Sequence, residues 1–224
     1  MPAEPVISVR GEASLEVDPE IAVVYVSVMA RDKDRHRAVD LLAKRNGLVT
    51  GAIKKFGEAV EKLESGRVNV RPEFSGGKPR ERITGYVAQA NLTVTIADFA
   101  ILGDLVTDLA GQELVAVTGP EWQLRQNSPV RRDARLAAAR DAMERAREYA
   151  EAFGGTITGL VEAADAGLLG AEPRPQRFVF SSRAGAMAGA PAGDSPEFDF
   201  EPAKQTVTAQ VEARFTMTAP SLTK

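Results

Sequence analysis

VISVRGEASLEVDPEIAVVYVSVMAR, residues 6–31, decides the fold class of this chain. Ile7, Val9, Ala13, Leu15 and Val17 take odd positions, and Ser8, Arg10, Glu12, Ser14 and Glu16 take even ones. Side chains on a strand alternate between the faces of a sheet, so the pattern specifies a strand with one dry and one wet face. Asp18-Pro19-Glu20 interrupts it with turn chemistry, because proline pre-sets φ and aspartate can bond back onto the main chain. A second strand runs from Ile21 to about Met29, so the expectation is a long antiparallel hairpin at the start of the chain.

Working outward, Asp34 can cap a helix reaching to about Phe56, with an extension toward Leu63 left open. Val39, Leu42, Val49, Ile53 and Phe56 form its apolar stripe at three- and four-residue spacing. Gly57 can end it, in which case Glu58, Glu61 and Glu64 still read as an exposed acidic face at helical spacing. Val68 and Val70 lead into the turn SGGKPRER. Tyr86, Ala88, Ala90, Leu92, Val94 and Ile96 then form the dry side of another half-buried strand. Asp98 is a good N-cap for a short helix burying Phe99, Leu102, Leu105, Val106 and Leu109, with Gly111 as a left-handed stop.

A strand follows over about Leu114–Leu124, broken midway by Gly119-Pro120. Ser128-Pro129 starts a helix that Gly154-Gly155 stops. Ala134, Ala138, Ala142, Ala146 and Ala150 give this helix a ridge of small residues, which permits a close approach within the monomer or, as the alternative, an assembly seam. Asp141 with Arg145 and Arg147 with Glu151 lace its flanks, while Arg131, Arg132 and Arg135 crowd its start. Strands near Thr156–Ala163 and 205–217 complete the pattern. Residues 166–202, rich in Gly, Ala, Pro and Ser, read as a long flexible loop in which Phe178, Val179 and Phe180 are the one apolar knot.

These elements imply an α+β fold, with antiparallel β-hairpins merged into a sheet and helices packed on one face. The organisation is one domain over 1–224, with two sub-lobes as the alternative.

Chemistry is harder to find. The net charge of −3 does not suit a protein that coats nucleic acid, and the absence of cysteine removes disulfides and thiol catalysis. His36, the one histidine, stands among Arg35 and Arg37 without a second histidine or a suitably spaced acid, so it reads as a surface residue. Gly76-Gly77-Lys78 lacks phosphate-loop spacing and reads as a hairpin turn. Charged helices between the hairpins argue against a membrane barrel, and no apolar run approaches the roughly 20 residues of a spanning helix. The start, MPAEPVIS, has no basic and apolar leader, which reads as cytoplasmic unless a signal has been trimmed away.

An ordered series of short motifs resembles the SIMPL-domain family. The series begins with Val9-x-Gly11 and Val17-Asp18-Pro19-Glu20-x-Ala22. It continues with Gly85-Tyr86-x-Ala88, Leu92-x-Val94-x-Ile96-x-Asp98 and Leu102-Gly103. The Ala-rich helix ending at Gly154 and Val207-x-Ala209-x-Val211-x-x-x-Phe215 close it. Two departures stand out: Pro202-Ala203-Lys204 replaces a Pro-Gly-Glu entry to the last strand, and Trp122 stands where phenylalanine is usual.

The resemblance brings Gly11, Asp18, Pro19, Gly85, Tyr86, Asp98, Gly103 and Gly154 forward as structural marks, and carries no catalytic, cofactor or metal residues. It implies, with the lack of a catalytic constellation, a non-enzymatic protein linked to defence against oxidative stress. Self-assembly into a homo-oligomer is expected because long strands such as 83–96 and 205–217 must be covered or offer edges that another chain can extend. The alternative is a small-ligand-binding module or enzyme with its site between helices and sheet.

Overall fold

The computed structural model describes residues 4–74, 82–169 and 198–221. Its elements in chain order are β1 (Val6–Val17), β2 (Ile21–Asp32), α1 (Arg35–Lys54), β3 (Val60–Phe74), β4 (Ile83–Ile96), α2 (Leu102–Ala110), β5 (Val115–Gln123), α3 (Pro129–Ala152), β6 (Ile157–Asp165) and β7 (Gln205–Met217). Short 3₁₀ turns at Gly57–Ala59 and Phe99–Ile101 precede β3 and α2. The fold is α+β, as expected, but the strands divide between two sheets, β1-β7-β6 and β3-β4-β2-β5. The chain forms two compact units: the first takes the described residues of 1–17, 126–190 and 206–224, the second those of 18–125 and 191–205.

The expected opening hairpin does not form. β2 is flanked on one side by β4, from Ala22 opposite Ile96 to Asp32 opposite Tyr86, and on the other by β5. Both of its edges are therefore filled, and β1 pairs with β7 instead. The Met217 N–H donates to Pro5 O at 3.0 Å while Arg10 meets Glu212, so β1 and β7 run antiparallel. Asp18-Pro19-Glu20 is the passage between units rather than a hairpin turn, with Pro19 buried and the Glu20 N–H already bonded to Gln123 O. Alternation identifies a strand, but the strand's neighbour depends on which edges the rest of the chain leaves open.

In the second unit, Ala22, Val24, Val26, Val28 and Ala30 of β2 and Ala88, Ala90, Leu92, Val94 and Ile96 of β4 face the two helices. Asp34 caps α1 by accepting from the Arg37 N–H at 2.9 Å. Its buried stripe is Ala38, Leu42, Val49 and Ile53; Val39, expected inside, is 41% exposed because Ala38 takes the inward position one residue earlier. The helix stops at Lys54, and Gly57 adopts a φ of 59°. β3 starts at once, so Glu61 and Glu64 lie on a strand instead of an acidic helical face. The expected pairing of β3 with β4 is present, while the turn with Gly76-Gly77-Lys78 lies outside the described residues.

Asp98 caps the Phe99–Ile101 turn, and Leu102, Leu105, Val106 and Leu109 of α2 are buried as expected. Gly111 has a φ of −70°, so it is not the left-handed stop; Leu114 carries the positive φ a few residues later. The break at Gly119-Pro120 coincides with a register shift of β5 against β2 between Val23 and Tyr25.

In the first unit, Ser128 caps α3 and all five ridge alanines are buried. Ala142, Ala146 and Ala150 pack with Ile7 and Val9 of β1 and with Ala213, Phe215 and Met217 of β7. The ridge thus serves close packing within the unit. Only the ends of the loop expected over 166–202 are described; Phe178, Val179 and Phe180 lie outside.

Candidate functional site

The eight marked residues hold the fold at separate places. A Cβ built on Gly11 would lie 2.5 Å from Ala142 N and 2.7 Å from Ala142 Cβ, with Ala138 O nearer still, so α3 rests directly on the β1 backbone. Gly85 is buried, and its Cβ would approach Asp32 O at 3.0 Å. Tyr86 packs half-buried on the core of the second unit. Asp98 accepts from the Ala100 N–H at 3.1 Å. Gly103 lets Phe198 O come within 2.6 Å of where a Cβ would stand. Gly154, with a φ of 71°, ends α3 and lets the Gly155 N–H reach Ala150 O at 2.8 Å. Asp18 and Pro19 form the passage between units. None of these converges on a common cleft. Glycine carries no chemistry, and here it marks close backbone approach.

The features able to meet a partner are elsewhere. In the first unit, β6 is an outer strand, and among the described residues it pairs only with β7. Leu160 and Val161, at the register shift between Leu160 and Glu162, are 61% and 55% exposed. No residue of β6 is buried. Beside it, Ala139, Met143, Leu160, Val211 and Phe215 line an apolar groove of about 170 Å³.

The polar face of the same sheet is knitted together. Arg10 donates to Glu212 at 2.7 Å, and Glu212 also accepts from the Leu169 N–H at 3.2 Å. Arg214 donates to Leu169 O at 3.1 Å. The Arg10 guanidinium, then backbone N–H groups of Gly167 and Leu169, hold the Glu212 carboxyl below the usual carboxylate range. The free edge of β1 is covered where the Glu12 N–H donates to Asp141 at 2.9 Å, and Asp141 also forms the expected ion pair with Arg145, at 2.9 Å. Asp141 is thus both a solvated charge and a cap on a strand edge, which helical spacing alone does not reveal.

In the second unit, the Phe99–Ile101 turn, α2 and the segment 198–202 enclose a cavity of about 560 Å³. Between the helices and the sheet of the second unit, the described side chains pack into one apolar core. His36 is exposed, and no metal-ligating cluster of three or more groups occurs among the described residues. Among those residues no helix is long and apolar enough to cross a membrane.

The family described as "SIMPL: Protein of unknown function (DUF541)" matches residues 7–215. The chain belongs to the SIMPL family. It is 26% identical over 197 residues to the 26 kDa periplasmic immunogenic protein of Brucella melitensis, covering 85% of this chain and 77% of that protein. Its identity to the protein of that name from Brucella abortus is 25%, with the same coverage. A third relative, the uncharacterized protein YggE of Edwardsiella ictaluri, is 23% identical over 81% of this SIMPL chain and 76% of the relative. Two of these relatives are named periplasmic, which overturns the expectation of a cytoplasmic protein. That expectation rested on the start of the sequence, and the water-facing surface of a folded domain has much the same composition on either side of a membrane.

Proposed function

We propose that this SIMPL protein is a non-enzymatic, self-assembling protein of the periplasm, in which a second copy extends the first unit's sheet at the outer edge of β6. The observation that carries this reading is the exposure of Leu160 and Val161 on an outer strand, none of whose residues is buried. Among the described residues the outer edge of β6 pairs with no strand, and it lies beside an apolar groove that a second chain can cover.

The long strands 83–96 and 205–217, expected to offer edges, do not, because β4 lies between β3 and β2 and β7 between β1 and β6. β3 carries Glu61, Lys62, Glu64, Arg67, Arg71 and Pro72 and three register shifts. β5 is broken at Gly119-Pro120, and β1 is covered by Asp141. β6 has two register shifts against β7 and carries Glu162 and Asp165, but no proline and no lysine or arginine. Charges, proline and bulges are the usual devices that keep an edge from pairing.

The periplasmic location is supported by the names of the Brucella relatives. A protective role under oxidative stress is supported by the family resemblance, and assembly would give it a structural rather than catalytic basis. Light scattering over a wide concentration range should report a species larger than one chain. A double variant, Leu160→Lys with Val161→Lys, should shift it to monomer with an unchanged circular dichroism spectrum. A native chain that stays monomeric throughout overturns the assembly reading. Equal peroxide survival of cells with and without the protein would remove the protective role.

A further inference from the structure

We propose that the cavity in the second unit binds a small, free quaternary ammonium cation. Its volume, about 560 Å³, lies in the range of small-molecule sites. Its lining includes Phe99, Phe198 and Phe200 together with Asp104 and Asp199, and no lysine, arginine or histidine. Phe198 and Phe200 are stacked, with ring centroids 5.9 Å apart and planes at 15°. Phe198 keeps 39% of its surface exposed. Phe99 is held edge-on to Trp122 at 4.9 Å.

Aromatic faces carry negative charge density, and with carboxylates nearby they favour a weakly hydrated cation over an anion or a neutral solute. At the start of α2 the Leu102 N–H is bonded to Phe99 O in the preceding turn, so that donor is not offered to an anion. The wall also depends on a marked residue. Gly103 has no side chain, and a Cβ there would lie 2.6 Å from Phe198 O, so any larger residue displaces the segment that carries Phe198 and Asp199. The two carboxylates disfavour a cation that carries its own phosphate, which assigns the cavity to a free solute instead of a lipid headgroup.

The test uses the full chain, with choline as the probe and 3,3-dimethylbutan-1-ol as its uncharged counterpart of the same shape. Trp122, the single tryptophan, reports occupancy through its contact with Phe99, and calorimetry checks the result. Choline should saturate with a Kd in the millimolar range, and the alcohol should bind about tenfold more weakly. Asp199→Asn and Phe198→Ala, both at exposed positions, should each weaken choline about fivefold while leaving Tm unchanged. No saturation by choline, equal binding of the alcohol, or unaltered affinity in Asp199→Asn overturns the proposal. Co-sedimentation with phosphatidylcholine vesicles without binding of free choline overturns the assignment to a free solute.

Discussion

In the second unit, α1 and α2 press Ile53, Leu102, Leu105 and Leu109 onto a sheet face of Val24, Val26, Leu92, Val94 and Ile96; in the first, α3 brings only alanines to β1. The second unit gains stability by burying large side chains, each worth about 1.5–3 kcal/mol relative to exposure. The first gains it by close approach: the helix lies so near that Gly11 has no room for a methyl group. Small residues bury little area, and in the first unit no residue of β6 is buried. In the second, β3 and β5 likewise bury none, and the large buried side chains are concentrated on the inner strands β2 and β4 and the helices that cover them.

Three measurements would break or sharpen this contrast. Leu105→Ala should be the largest effect, costing the second unit about 3 kcal/mol in denaturant unfolding, since it opens a cavity in a fully buried site. A loss near zero would mean that this core is not close-packed. Gly11→Ala should cost the first unit about 2 kcal/mol for the opposite reason, because one added carbon must displace the α3 backbone. A tolerated alanine there would refute the close approach.

The smallest effect concerns pH. The Glu212 carboxyl titrates lower in the folded protein than in the unfolded chain, with the Arg10 guanidinium as the main cause. Its contribution is therefore present above the ordinary carboxylate range and is lost as pH falls through the lowered value. Glu212→Gln should flatten the acid limb of a stability–pH curve by lowering stability above the carboxylate range, with the slope near neutrality unchanged. An unchanged acid limb would show that this cluster does not couple to folding.

Much of the fold is legible in the residues themselves. The caps Asp34, Asp98 and Ser128, the alternation of β4 and β7, and the alanine ridge all act over a few positions, and short-range spacing reports them well. Sheet membership is different. Residues 6–31 read as one hairpin because nothing local says that β4 and β5 occupy both edges of β2. Glu61 and Glu64 sit three apart on a strand, where such spacing is accidental. The candidate sites were hidden for the same reason. Exposure at Leu160 depends on how little α3 covers, and the cavity joins Phe99 to Phe198 across about a hundred positions of chain. Gly103 was visible as a mark, but its purpose emerges only with Phe198 O beside it.

The route of the backbone through the two units has a temporal consequence. β1 precedes every other described strand in the sequence, yet the Arg10–Glu212 pair that ties it to β7 spans 202 positions. The second unit, by contrast, has most of its strands and both helices within 18–125, and its two ends meet where the Arg125 N–H donates to Glu20 at 2.9 Å. Closing a long loop costs entropy before any contact repays it, so short-range pairings form first. The intervening body is therefore expected to mature while β1 waits, a strand with an apolar face and no strand neighbour until β7 arrives. A chain built this way is most vulnerable before β7 pairs, and its survival in that interval depends on whatever shelters β1.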